Sequence, residues 1–130
     1  MPGDRFIWHG KENKKARYQK FRNAKEPKIL IASGMAEGID LADDAARWQV
    51  IPKVMFPSLA DGLVKQICKE DSKYYSWLTI RTIIQQCGRV CRGPSDYGVS
   101  YILDSNFEHL YNYNTELFME YFVDALEGVR

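Results

Sequence analysis

An α/β fold with a mostly parallel sheet is predicted for this chain, on three observations. Short apolar runs at 6–9, 28–32, 48–56 and 97–103 alternate with segments of helical spacing. The run Lys28-Ile29-Leu30-Ile31-Ala32 is apolar after its lysine, the pattern of a strand buried on both faces of a parallel sheet. Residues 73–91 carry the clearest amphipathic helix, and parallel strands need helices of this kind to join them.

Along the chain, Phe6 to His9 is a short apolar run that fits a strand, ahead of three longer strand candidates. Residues 11–24 are rich in Lys, Arg and Ala, with Ala16, Phe21 and Ala24 as an apolar stripe, and predict a basic helix that Pro27 closes off. After the strand at 28–32, Ser33-Gly34-Met35-Ala36-Glu37-Gly38-Ile39-Asp40 is a loop with two glycines. Residues 48–56 predict a second strand, with a bulge or edge position at Pro52 because proline donates no hydrogen bond. Pro57 to Asp61 is a loop, and Leu63, Val64, Ile67 and Cys68 then follow helical spacing. In 73–91, Trp77, Ile80, Ile84, Cys87 and Cys91 repeat every three or four residues, and Gly93-Pro94 ends the helix. Tyr97 to Leu103 is a third strand, ending at Asp104, and a last helix is predicted from a Thr115 cap to Gly128.

Composition bounds what such a fold can be. With 45% hydrophobic and 13% aromatic residues, the chain can bury a core and is not a disordered segment. A length of 130 residues suits one domain. No apolar run approaches the roughly 18 residues that span a bilayer, and MPGDRFIWHG lacks a signal-peptide pattern, so a soluble, cytoplasmic protein without a membrane partner is expected. The three cysteines, Cys68, Cys87 and Cys91, do not suggest a disulfide framework, and core packing is the expected role of the last two. His9 and His109 have no ligand-spaced neighbours, so no metal is expected on this chain. The net charge of +1 conceals an asymmetry, with nine Lys/Arg against three Asp/Glu in residues 1–28 and one against seven in 93–130. A basic stretch can meet nucleic-acid phosphate or simply face water, and charge alone fits both.

Two constellations can carry chemistry. The loop Ser33–Asp40 follows a strand, where ligands bind in open parallel sheets. Gly34 and Gly38 allow close backbone approach, with Glu37 and Asp40 beside them. On the helix 73–91, Gln85, Arg89 and Arg92 fall at i, i+4 and i+7 and are expected to share one face, next to Gly88. Such a row can grip phosphate oxygens in a guanidinium fork or be a solvated polar face.

Taken together and in order, these segments resemble a known family. Gln85-Gln86-Cys87-Gly88-Arg89-Val90-Cys91-Arg92 matches Q-x-x-G-R-x-x-R, motif VI of superfamily 2 helicases, and Ala36-Glu37-Gly38-Ile39-Asp40 resembles their motif V in the form typical of the XPD/DinG branch. Lys53-Val54-Met55-Phe56-Pro57-Ser58-Leu59-Ala60-Asp61 resembles that branch's K-x-P-[FY]-P-x-x-x-D segment, with Met55 where the family has proline. Asp96-Tyr97-Gly98-Val99 and Tyr101-Ile102-Leu103-Asp104 resemble its ending. The likeness covers about residues 20–108.

The resemblance implies a three-layer RecA-like domain, truncated at its N-terminus, forming residues 1–130 as part of a second motor domain. ATP and Mg²⁺ would bind in the full-length enzyme, in a cleft shared with a first motor domain of the same polypeptide, and neither would bind this fragment alone. Arg89 and Arg92 would be catalytic, reaching the phosphates, while Gln85 and Gly88 would belong to the ATP-binding surface. Glu37, Gly38 and Asp40 would likewise be ATP-binding and would couple the nucleotide to single-stranded DNA, and Ser33 and Gly34 would touch the DNA backbone. The chain contains no G-x-x-x-x-G-K-[ST], so it is expected not to hydrolyse ATP alone. The alternative reading is a catalytically inactive module that keeps the fold and binds nucleic acid or protein.

Overall fold

The computed structural model describes residues 2–35, 39–41 and 43–128, which fall into two compact units, Met1–Ile39 and Asp40–Arg130. Each unit is built on a parallel pair of strands, as an α/β chain requires.

In the first unit a 3-10 turn at Pro2–Arg5 leads into β1 (Phe6–Trp8), followed by α1 (Lys14–Arg22) and β2 (Ile29–Ile31). β1 and β2 pair in parallel, Phe6 with Ile29 and Trp8 with Ile31. Ile7 is buried while its neighbours Phe6 and Trp8 are exposed, the alternation of a strand with one covered face. The expectation that 28–32 is buried on both faces is not met: Ile29 and Leu30 are half-buried and Ile31 is exposed, because the two-stranded sheet is covered on one side among the described residues. No residue of α1 is fully buried, so the Ala16–Phe21–Ala24 stripe is only partly used. Lys28 Nζ donates to the Asp4 carbonyl at 2.9 Å and ties the start of β2 to the turn before β1.

In the second unit, β3 (Trp48–Ile51), α2 (Gly62–Glu70), α3 (Ser72–Cys87), β4 (Val99–Ile102), α4 (Asn106–Tyr113) and α5 (Glu120–Asp124) follow in order. β3 pairs with β4 in parallel from Trp48–Val99 to Ile51–Ile102. The strand predicted over 48–56 stops at Ile51, because Pro52 has no N–H for the ladder and ends it. Asp61 caps α2 by accepting from the Leu63 and Val64 N–H groups. Asp71 is the single residue between α2 and α3: its N–H donates to the Ile67 carbonyl at 2.8 Å and its carboxylate accepts from Tyr74 N at 2.9 Å.

The core of this unit consists of Val54, Ile80, Ile83, Phe107, Leu110, Phe118 and Phe122. Two of its helices differ from expectation. α4 is not anticipated by the sequence reading, and the helix predicted from Thr115 is broken into a 3-10 turn at Thr115–Leu117 and the short α5. Phe118 and Met119 are extended, with ψ of 139° at each. That break swings Phe118 into the core, edge-on to Phe107 and Tyr111 and stacked on Phe122. Thr115 is therefore no cap; its Oγ1 donates to the Tyr111 carbonyl of α4 at 2.9 Å. No helix among the described residues is long and apolar enough to cross a membrane.

Candidate functional site

The carboxyl end of α3 sets the geometry of the candidate site. Gln85 is exposed in the last turn, and the helix ends at Cys87 rather than at residue 91. Gly88 and Arg89 continue as a turn, donating to the Ile84 carbonyl at 3.0 Å and the Gln86 carbonyl at 3.1 Å. Gln49 of β3 meets the freed helix end: its Nε2 donates to the Gln86 carbonyl at 2.7 Å and to Ser100 Oγ of β4 at 2.8 Å. Val90 then drops into the interior with no exposed surface. Gly98 passes so close that a Cβ built there would lie 2.4 Å from the Val90 carbonyl oxygen.

This ending corrects two expectations. Gln85, Arg89 and Arg92 do not share a helical face, because the helix is capped at Gly88 and the chain beyond it turns to bury Val90. Cys87 is half-buried, but Cys91 is exposed in the loop and is not a core residue, for the same reason. Arg89 is half-buried in the turn and Arg92 is exposed beyond it.

A buried carboxylate organises the loop that carries Arg92. The Asp96 side chain is only 5% exposed. It accepts from Arg92 N at 3.0 Å, Tyr97 N at 2.9 Å, Asp43 N at 3.4 Å and Arg47 Nη1 at 2.6 Å. The Arg92 N–H above all, with the Arg47 guanidinium and the other two N–H groups, holds this carboxyl below its usual range against desolvation. Arg47 is itself fixed, bonded to Asp44 at 2.8 Å and to the Tyr97 carbonyl at 2.9 Å, with its guanidinium 4.1 Å from the Tyr97 ring centre.

The guanidinium of Arg92 is held differently. Its Nε lies 3.5 Å from an Asp40 carboxylate oxygen, with the two side chains 46% and 60% exposed. An exposed pair of this length contributes about 0–1 kcal/mol, so an anion can displace the carboxylate from Arg92. The structure thus brings together Arg92 and Asp40, the ends of the two motifs read from the sequence. Glu37 and Gly38 lie outside the described residues. Ser33 and Gly34 belong to the first unit and are exposed. There, Ser33 N donates to His9 Nε2 at 3.1 Å, and Lys14 Nζ donates to the Gly34 carbonyl at 3.2 Å. Gly34 has φ of 64°, the left-handed region that a side chain would strain.

A protein-family model described as "Helicase C-terminal domain" matches residues 3–122. The chain belongs to the helicase C-terminal domain family. The ATP-dependent DNA helicase CHL1 of Candida albicans is 28% identical over 96 residues, which cover 60% of this chain and 11% of that protein. The probable ATP-dependent helicase MJ0942 of Methanocaldococcus jannaschii is 31% identical over 115 residues, covering 75% of this chain and 18% of that protein. The chain spans only a minor part of the length of either relative.

Membership agrees with the α/β architecture, with its parallel strand pairs, and with the resemblance to the XPD/DinG branch. Within this helicase C-terminal domain, sequence reasoning missed three residues that shape the site: Gln49, Arg47 and Asp96. Asp96 stood in a segment that matched the family ending, which was the only signal for it. Arg47 and Gln49 carry no sequence signal, since all their partners but Asp44 lie 37 to 51 residues away in the chain.

Proposed function

We propose that this chain supplies one wall of an ATP site in a nucleic-acid-dependent motor of helicase type, working inside the cell. Residues 1–130 act in this reading as one partial second-motor domain, which a single family model running across both units supports. The observation that carries the proposal is the contrast between two arginines in one unit. Arg47 is held at both terminal nitrogens by two carboxylates and a carbonyl, as a structural arginine is. Arg92 projects from a pinned backbone with an exposed guanidinium and one weak carboxylate contact.

That arrangement fits a phosphate-facing arginine: the backbone is held while the charged end remains open to an anion. Arg92 and Arg89 would stabilise charge on the phosphoryl oxygens, with Gln85 and Gly88 forming the adjoining surface. Asp40, with Glu37 and Gly38, would relay nucleotide state to a bound single strand. Ser33 and Gly34 would touch the strand's backbone, supported by their exposure beside Lys14. The phosphate loop and the residues holding Mg²⁺ would come from a first motor domain of the same polypeptide. ATP bound there supplies the phosphoanhydride bond whose hydrolysis drives the motor.

The test is steady-state ATPase turnover in a polypeptide joining this chain to a phosphate-loop motor domain, with and without single-stranded DNA. Arg92→Ala is expected to lower kcat by about 10³-fold or more, the range for lost arginine fingers. The 130-residue chain alone is expected to show no turnover. Unchanged turnover in Arg92→Ala sinks the proposal and leaves the inactive binding module as the reading.

A further inference from the structure

We infer that Asp96, clamped by Arg47, is a positioning residue that sets where Arg92 and Asp40 meet. The inference rests on the reading of Arg92 as the phosphate-facing arginine. Asp96 touches no reacting atom; it acts through the backbone of the residue that does.

The geometry assigns this role by how the carboxylate is used. One oxygen takes Arg47 Nη1 at 2.6 Å and Tyr97 N at 2.9 Å; the other takes Arg92 N at 3.0 Å and Asp43 N at 3.4 Å. Arg92 follows the end of α3, and Asp43 lies three residues after Asp40. Asp43 and the remote stretch 92–97 are therefore bolted to one group. Asp43 adopts a left-handed backbone, φ of 55°, where its N–H reaches that group. Charge-assisted bonds to a 5% exposed carboxylate hold their geometry far better than the solvent-screened Arg92–Asp40 contact can. The buried clamp is thus the part that fixes the spacing, and the exposed pair is the part it positions.

Arg47 is the second half of the clamp. It carries the counter-charge, and its fork also binds Asp44 and the Tyr97 carbonyl, so the stretch 43–47 and the loop 92–97 cannot slide independently. Lysine at this position keeps the charge but cannot make the three bonds in one plane. Asparagine at position 96 keeps the shape but turns an NH₂ donor toward N–H groups that need an acceptor.

The experiment measures kcat and KM for ATP, with saturating single-stranded DNA, in the polypeptide joining this chain to a phosphate-loop domain. Wild type, Asp96→Asn, Arg47→Lys, Arg92→Ala and the core control Ile80→Val are compared below their unfolding midpoints. Asp96→Asn and Arg47→Lys are expected to lower kcat about 10- to 100-fold, the scale of a misplacement near 1 Å. KM should stay within about twofold, and Ile80→Val should leave both constants unchanged. In the 130-residue chain, amide exchange at Arg92, Asp43 and Tyr97 should quicken in Asp96→Asn while that of α3 does not. A kcat within about twofold of wild type in Asp96→Asn, while Arg92→Ala abolishes turnover, overturns this inference and leaves the proposed function standing. Full turnover in Arg92→Ala overturns both. If Asp96→Asn fails to fold, Arg47→Lys decides: the same fall in kcat supports the clamp, and unchanged kcat overturns it.

Discussion

Replacing Gly98 by alanine tests how tightly the Arg92-bearing loop is built. The added methyl would lie 2.4 Å from the Val90 carbonyl oxygen, 2.9 Å from Val90 Cγ2 and 3.0 Å from the Val90 carbonyl carbon. Neither side can yield cheaply. Val90 is fully buried, and the chain after Gly98 enters β4, where Val99 N donates to the Arg47 carbonyl at 3.0 Å. Relieving a contact with backbone atoms requires moving backbone, so the upper part of the overpacking range applies, about 2–3 kcal/mol. With a urea dependence of roughly 1–3 kcal/mol per molar, the unfolding midpoint should fall by about 0.7–3 M. Gly62→Ala is the matched control, because a Cβ there meets nothing within 4 Å at the first residue of α2. That variant should be neutral or stabilised by up to about 1 kcal/mol. A Gly98→Ala midpoint equal to wild type would refute the account of why α3 ends at Cys87, since that account needs Val90 and Gly98 to be immovable neighbours.

Two further outcomes follow from the same hydrogen-bond map. Gln49→Leu removes the donor that serves the Gln86 carbonyl and Ser100, so unfolding should show a loss of about 1–3 kcal/mol; an unchanged melting curve would mean that water serves those groups equally well. Acid should also weaken the fold. The Val54 N–H above all, then Asn106, holds the Asp104 carboxyl below its usual range, so its contribution is present above the unfolded carboxylate pKa and is lost as pH falls through the folded one. Stability followed by urea titration should decline below about pH 4, and less steeply in Asp104→Asn.

The elements with strong local signals were readable from the sequence. β1, α1, β2, α2, the body of α3 and β4 all lie where apolar spacing and turn residues put them. The failures have a common cause, which is distant packing overriding local pattern. The i, i+4, i+7 spacing of Gln85, Arg89 and Arg92 was real, but the helix stops short of the two arginines and Val90 is buried against Gly98 instead. Phe118 lies within a helical pattern, yet the aromatic cluster with Phe107, Tyr111 and Phe122 draws it out of one. β3 ends at Pro52 because a missing donor is absolute, where a bulge would have needed a ladder beyond it. In the candidate site, the motif residues were nameable from the sequence. The carboxylate that aims Arg92 was visible only as part of a matched segment, because its partners come from residues 43, 47, 92 and 97.

The one-residue joint at Asp71 has a consequence for how this domain can vary in length. Asp71 finishes α2 with its N–H and begins α3 with its carboxylate, leaving no spare linker between the two helices. One residue inserted there would part the two capping roles that Asp71 combines, so that one helix end loses its cap. The helix so loosened at its start is the one that ends, sixteen residues later, at Gly88 and the arginine turn. The loop at 57–61 has no such duty and can absorb the same insertion locally. A change of chain length is therefore absorbed more easily before α2 than at the joint after it, where one residue serves both helix ends.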